Sequence, residues 1–143
     1  MKLLFYARSG DGIGDEIQRL IEARAPGIRI EACRTSDALS QRLRQPADGL
    51  AIALIVAASQ EEFQKVIELR SLLNDLRIIL ILPERKKETI IQGLTLRPRF
   101  LTFADADLTD VIAVLNKMCR VYSDEFARWK SGVRIENREA TQG

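Results

Sequence analysis

Few residues in this chain have the type and placement to do chemistry. Its 143 residues include no histidine, which removes the commonest general base and the commonest transition-metal ligand together. The two cysteines, Cys33 and Cys119, stand far apart and outside any CxxC spacing, so neither a zinc site nor a dithiol redox pair is indicated, and two semi-buried thiols are expected. One stretch has the look of a ligand loop: Ser9-Gly10-Asp11-Gly12-Ile13-Gly14-Asp15. A glycine-rich turn that opens a helix can hold a phosphate on its backbone N–H groups. Here Asp11 and Asp15 would repel that anion. Asp11 alone is a poor Mg2+ site and is well placed to cap the helix that follows, so the turn is expected to serve the change of chain direction.

Composition narrows the classes further. The 22 Lys plus Arg nearly cancel the 20 Asp plus Glu, so no global field calls for nucleic acid or an acidic membrane. The length suits one domain with a core of its own, free of metal or disulfide staples. The opening Met1-Lys2-Leu3-Leu4-Phe5-Tyr6 is too short an apolar run for a signal peptide or a membrane span. A soluble, cytoplasmic protein is expected.

The elements that must position these residues are organised around Leu50-Ala51-Ile52-Ala53-Leu54-Ile55-Val56-Ala57-Ala58. This run is apolar at both alternating sets of positions, as a strand covered on two faces would be. Ser59 then gives an N-cap, with Glu62 at the third position following, which is a helix-starting signature. Residues 3–7 read as a first strand, followed by a helix with Ile13, Ile17, Leu20 and Ile21 on one face and a stop at Pro26-Gly27. Residues 28–33 begin by alternating apolar and polar, as an edge strand does. Thr35 or Ser36 caps a weakly held second helix with Leu39 and Leu43. The third helix carries Phe63, Val66, Ile67, Leu69, Leu72 and Leu73 and ends at Asn74-Asp75. Ile78-Ile79-Leu80-Ile81-Leu82 is another doubly buried strand, closed by Pro83. A short fourth helix carries Ile90, Ile91 and Leu94, Arg97-Pro98-Arg99 breaks it, and Phe100-Leu101-Thr102-Phe103 is a fifth strand. A long last helix bears a stripe of Leu108, Val111, Ile112, Leu115, Met118, Cys119, Tyr122, Phe126 and Trp129, and residues 131–143 read as a loose polar tail.

Five strand-helix units predict a parallel sheet with helices on both faces, joined by right-handed crossovers. The edge character of the second strand and the apolar third and fourth give the order 2-1-3-4-5 of a flavodoxin-like (βα)5 sandwich, with the domain at residues 1–122 and an extension at 123–143. Ligands of such folds bind beyond the carboxyl ends of the strands. That crevice would be lined by Arg8, Ser9, Gly10, Asp11 and Gly12, by Ala57, Ala58 and Ser59, and by Pro83, Glu84, Ala104 and Asp105.

The five-unit rhythm resembles the receiver domain of two-component response regulators over residues 1 to about 122. The resemblance implies an acidic pair ending strand one, a phosphate-accepting Asp ending strand three, a Ser or Thr ending strand four and a Lys ending strand five. A carboxylate attacks phosphorus usefully only when Mg2+ offsets the charge and a cation holds the product. This chain departs at nearly every post, with Ala7-Arg8-Ser9, Val56-Ala57-Ala58-Ser59, Leu82-Pro83-Glu84 and Phe103-Ala104-Asp105. A degenerate receiver is therefore expected, with no cofactor, no metal and no enzymatic activity. The alternative is a small flavodoxin-like protein holding FMN or a nucleotide at the glycine turn, although only Ser9 stands for that family's Ser/Thr-rich loop. A Rossmann fingerprint would need a later third glycine and an acid after strand two, where Cys33-Arg34 stands. Gly10-Asp11-Gly12-Ile13-Gly14 also resembles the opening of isopropylmalate-type dehydrogenases, for which the chain is far too short.

Two partner surfaces are expected. Tyr122, Phe126 and Trp129 should overhang the sheet and bury against a second copy or another protein, unless the helix breaks near Ser123-Asp124. Arg85, Lys86 and Lys87, with Arg97 and Arg99, make a basic patch suited first to solvent, then to an acidic protein surface. Nucleic acid comes last, because no aromatics interleave with these charges.

Overall fold

Uninterrupted apolar runs make two of the three interior strands of a single sheet. In this computed structural model, β3 (Leu50–Val56) is buried at every residue, and β4 (Arg77–Leu82) at all but its first. β1 (Lys2–Tyr6) pairs with β3 on one side and with β2 (Arg29–Cys33) on the other, and β5 (Phe100–Phe103) forms the edge beside β4. All pairings are parallel and the order is β2-β1-β3-β4-β5, the flavodoxin-like arrangement expected. The structure describes the backbone of residues 2–8, 10 and 12–135, with side chains as far as Tyr122.

The helices are α1 (Gly12–Arg24), α2 (Ser36–Leu43), α3 (Gln60–Glu68), α4 (Arg70–Leu73), α5 (Lys87–Leu94) and α6 (Leu108–Ile135). Because successive strand residues point to opposite faces, the sheet feeds two cores. On one face Leu3, Phe5, Ile52, Leu54, Ile79 and Ile81 meet Ile17 and Ile21 of α1 and Val111, Ile112 and Leu115 of α6. On the other, Leu4, Tyr6, Ile55, Leu80 and Leu82 meet Leu39, Phe63, Val66 and Leu73. Among the described residues, no helix is long and apolar enough to cross a membrane.

The helices depart from the sequence expectation in three places. The single third helix is two, α3 and α4, joined at Leu69, where Leu69 N–H reaches Val66 O at 2.9 Å and Leu72 N–H reaches Leu69 O at 2.9 Å. These three-residue steps tighten the chain into a 3₁₀-type joint. On α5 the covered side is Thr89 and Gly93, while Ile91 and Leu94 are 54% and 57% exposed. The cause is close packing, since a Cβ at Gly93 would stand only 3.2 to 3.4 Å from Leu80, Leu82 and Leu101. Finally, α6 continues without a break past Ser123-Asp124 and runs to Ile135. Residues 131–135, expected to open a loose tail, are therefore helical, and residues 136–143 fall outside the described residues.

Candidate functional site

Hydrogen bonding runs one residue past several strands at the carboxyl end of the sheet. Ala7 N–H bonds Cys33 O (3.2 Å), Ala57 N–H bonds Ile81 O (2.9 Å) and Ala104 N–H bonds Leu82 O (2.9 Å). The first positions beyond β1, β3 and β5 are thus alanines, and Ala7 and Ala57 are fully buried. Methyl groups offer neither a nucleophile nor a metal ligand. Ala58, Ser59 and Pro83 lie half-buried beside them, while Ser9 and Asp11 fall outside the described residues.

A carboxylate does stand near this rim, and the sequence concealed it. Glu62, in the first turn of α3, is 4% exposed. Its carboxylate accepts the hydroxyl of Tyr6, the last residue of β1, and ion-pairs with Arg8 Nη1 at 3.8 Å and Lys65 Nζ at 3.7 Å. Ser59 Oγ accepts the Glu62 N–H at 3.2 Å, as the capping signature requires. The Glu62 side chain itself turns inward. The one sequence signal for this was Tyr6, a hydroxyl closing the apolar run from Leu3 and in need of a partner when buried.

Other polar groups around the rim are also answered from within the chain. Arg34, just after β2, reaches over the end of β1 to Ala7 O (3.4 Å), bonds Gln18 of α1 and lies 3.7 Å from Asp15. Gln60 donates to Glu84 (2.9 Å) and Thr89 (2.7 Å), and Thr89 donates to Glu84 (3.0 Å). This triangle ties the turn after β3 to α5 and to the segment after β4. Asp105 accepts Arg85 Nη2 at 2.8 Å, and the same guanidinium lies 4.2 Å from the Phe103 ring centroid. The hydrogen bond from Arg85 holds the Asp105 carboxyl below its usual range.

The glycine turn has a packing explanation. A Cβ at Gly14 would sit 2.6 Å from the Cβ of Ala7, so only glycine lets α1 approach the end of β1 this closely. Gly10, at φ +88°, makes the left-handed turn before the helix. A cleft of about 460 Å³ opens between α1 and the β5–α6 connection, lined in part by Glu16, Asp105 and Asp107. Its carboxylates suit a phosphate-bearing ligand poorly. Asp107 caps α6 by accepting the Thr109 N–H at 3.0 Å, and that bond lowers its pKa. Among the described residues, no three His, Cys, Asp or Glu side chains gather in a way that could hold a metal ion.

The expected basic patch is divided. Arg85 is tied to Asp105, and Lys86 lies 3.8 Å from Glu84. Lys87 opens α5 whereas Arg97 and Arg99 lie beyond its other end, so one helix length separates the two groups. At the amino end of the sheet Tyr122 is half-buried, with the guanidinium of Arg77, first residue of β4, 5.4 Å from its ring centroid. The side chains of Phe126 and Trp129 fall outside the described residues. Cys33 is buried and Cys119 half-buried, and burial raises both thiol pKa values.

No protein-family model and no curated protein matches the sequence significantly. Solved structures do match, by shape. A CheY-like response regulator receiver domain from Methanospirillum hungatei superposes with a TM-score of 0.66 at 12% identity, over 87% of this chain and 97% of that one. A candidate pilus assembly protein from Burkholderia thailandensis gives 0.58 at 14% identity, covering 84% and 98%. The chemotaxis protein CheY4 of Vibrio cholerae gives 0.57 at 14%, covering 81% and 96%. The chain has the receiver-like fold.

Proposed function

We propose that this chain is a signalling or scaffolding module, a pseudo-receiver that passes on state by protein contacts and makes no aspartyl phosphate. One observation carries this reading: the acid buried at the rim, Glu62, is already held by Tyr6, Arg8 and Lys65. A phosphate-accepting carboxylate must be open to the donor and to Mg2+. Where the resemblance calls for that acid, at the end of β3, stands the methyl group of Ala57. Where it calls for a cation, after β5, stands Asp105, bound to Arg85.

A non-enzymatic, cytoplasmic role follows from this reading. The contacts would be made by the far end of α6, from Tyr122 through Phe126 and Trp129, toward a second copy, and by Arg85, Lys86 and Lys87 toward an acidic protein. Incubation with acetyl phosphate and Mg2+, followed by intact mass, tests the central point. Unchanged mass is expected, and addition of one phosphate per chain would overturn the reading. A purified sample that was yellow, or carried a nucleotide absorbance shoulder, would instead favour a bound FMN or nucleotide at the glycine turn.

A further inference from the structure

The far end of α6 carries an inference about how two copies would meet. Along this helix Leu108, Ile112, Leu115, Cys119, Tyr122, Phe126, Trp129 and Val133 follow one another by alternate steps of four and three. This is the a/d repeat of a helix that packs along a continuous seam. The chain's own sheet fills the first part of the seam: Ile112 and Leu115 are buried in the core beneath α1 and α6, and Leu108, Cys119 and Tyr122 pack against it. Tyr122 meets Arg77 at the first residue of β4, and there the sheet ends. Residues 123–135 continue the helix for about 20 Å beyond that rim. A free helix of this length is marginal in water, so it needs a partner surface.

We infer that residues 123–135 pair with the same residues of a second copy, the two helices running antiparallel. This rests on the reading that the protein works by contacts, and adds who the partner is and which way it lies. Direction follows from space. A parallel partner on the same seam would continue past Tyr122 into the volume that the sheet and α1 already occupy. An antiparallel partner comes in from the open side, so that only residues 123–135 of the two helices overlap and each sheet stays at its own end of the pair.

The seam is also self-complementary in that direction. Aligning Phe126 of one copy with Trp129 of the other sets Tyr122 level with Val133, and the relation repeats by the two-fold axis. The flanking positions then match Ser123 with Lys130 and Glu125 with Gly132, so no like charges face each other. Four aromatic rings would bury roughly 600–1,000 Å². That lies below the usual size for tight complexes, so a reversible dimer on the order of 10 µM is expected.

Sedimentation of the full chain over a concentration series, with Trp129→Ala beside it, reads the pairing. A dimer weakened at least about tenfold in the variant, with an unchanged unfolding midpoint at low concentration, is expected. A monomer at every concentration, or a dimer indifferent to Trp129→Ala, would overturn the inference. Neither result bears on the acetyl phosphate test, so the broader reading is judged separately. Direction is read by mixing Glu125→Cys with Gly132→Cys chains, adding a short bismaleimide and mapping the linked peptides by mass, which also separates any reaction of Cys33 or Cys119. Crossed 125–132 products are expected, and self-products at 125 and 132 would overturn the antiparallel arrangement.

Discussion

The two ends of the sheet are finished in different ways. At the carboxyl end, Tyr6, Arg8 and Lys65 converge on Glu62, Arg34 bridges β1 to α1, Gln60, Glu84 and Thr89 close a triangle, and Arg85 holds Asp105. At the amino end, α6 meets Arg77 through Tyr122, the last residue whose side chain is described, and its backbone continues to Ile135. Where they are buried, groups that answer one another inside a chain contribute stability and hold the fold in one arrangement. A surface awaiting a partner leaves chain beyond the core that its own domain does not cover. On the proposed reading, the fold that elsewhere places chemistry at the first end would here make its contacts from the second.

Substitutions at and beneath the carboxyl end should therefore be read in stability, whereas Trp129→Ala at the other end should be read in association. Phe63→Ala removes a fully buried ring beneath α3 and should cost about 3–5 kcal/mol in denaturant unfolding. A loss below about 1 kcal/mol would mean that this side of the core is loosely packed. Tyr6→Phe takes one partner from a buried carboxylate and should cost about 1–3 kcal/mol. No change would show that Glu62 turns out to solvent and that the rim is open. Ser59→Ala removes the cap of α3 and should cost about 1 kcal/mol. Arg85→Ala, on an exposed pair, should leave the unfolding midpoint unmoved.

A pH series reaches the edge strand. The hydrogen bond from Arg42 to Glu31, at 2.7 Å, is the main cause holding the Glu31 carboxyl below its ordinary 4.5. The stabilisation is complete above that ordinary value and is lost as pH falls through the lower, folded one. Wild type should lose stability over that acidic window more steeply than Glu31→Gln, as thermal melts from pH 6 down to about 3 would show. Parallel curves would remove the pair from the account of β2.

Much of the architecture was legible because it depends on local pattern. The unbroken apolar runs of β3 and β4 showed two-sided burial, the alternation in β2 showed an edge, and Ser59 and Thr35 cap helices where their types predict. The failures have a shared cause. Glu62 already had a complete local explanation as the partner of a capping serine, and only the 56-residue separation from Tyr6, closed by the fold, reveals its other use. Ile91 and Leu94 are apolar enough to suggest a covered side, but a helix as short as α5 leaves its rotation to its neighbours. Gly93 against Leu80 and Thr89 against Gln60 decide it. The continuation of α6 past Ser131 was hidden by the polar composition of residues 131–143, which resembles a tail unless the four-and-three spacing is followed as far as Val133.

The most direct measurement is an amide NMR titration of the full chain with Mg2+, then with acetyl phosphate in its presence, following Ala7, Ala57, Ala58, Glu84 and Ala104. Signals that stay in place up to roughly 20 mM Mg2+ and after phosphodonor are expected, because the resident carboxylate is already bound from within. Saturable shifts clustered at Ala57 and Ala58, followed by a new set of peaks with the donor, would contradict this and make the carboxyl end of the sheet a working phosphotransfer site.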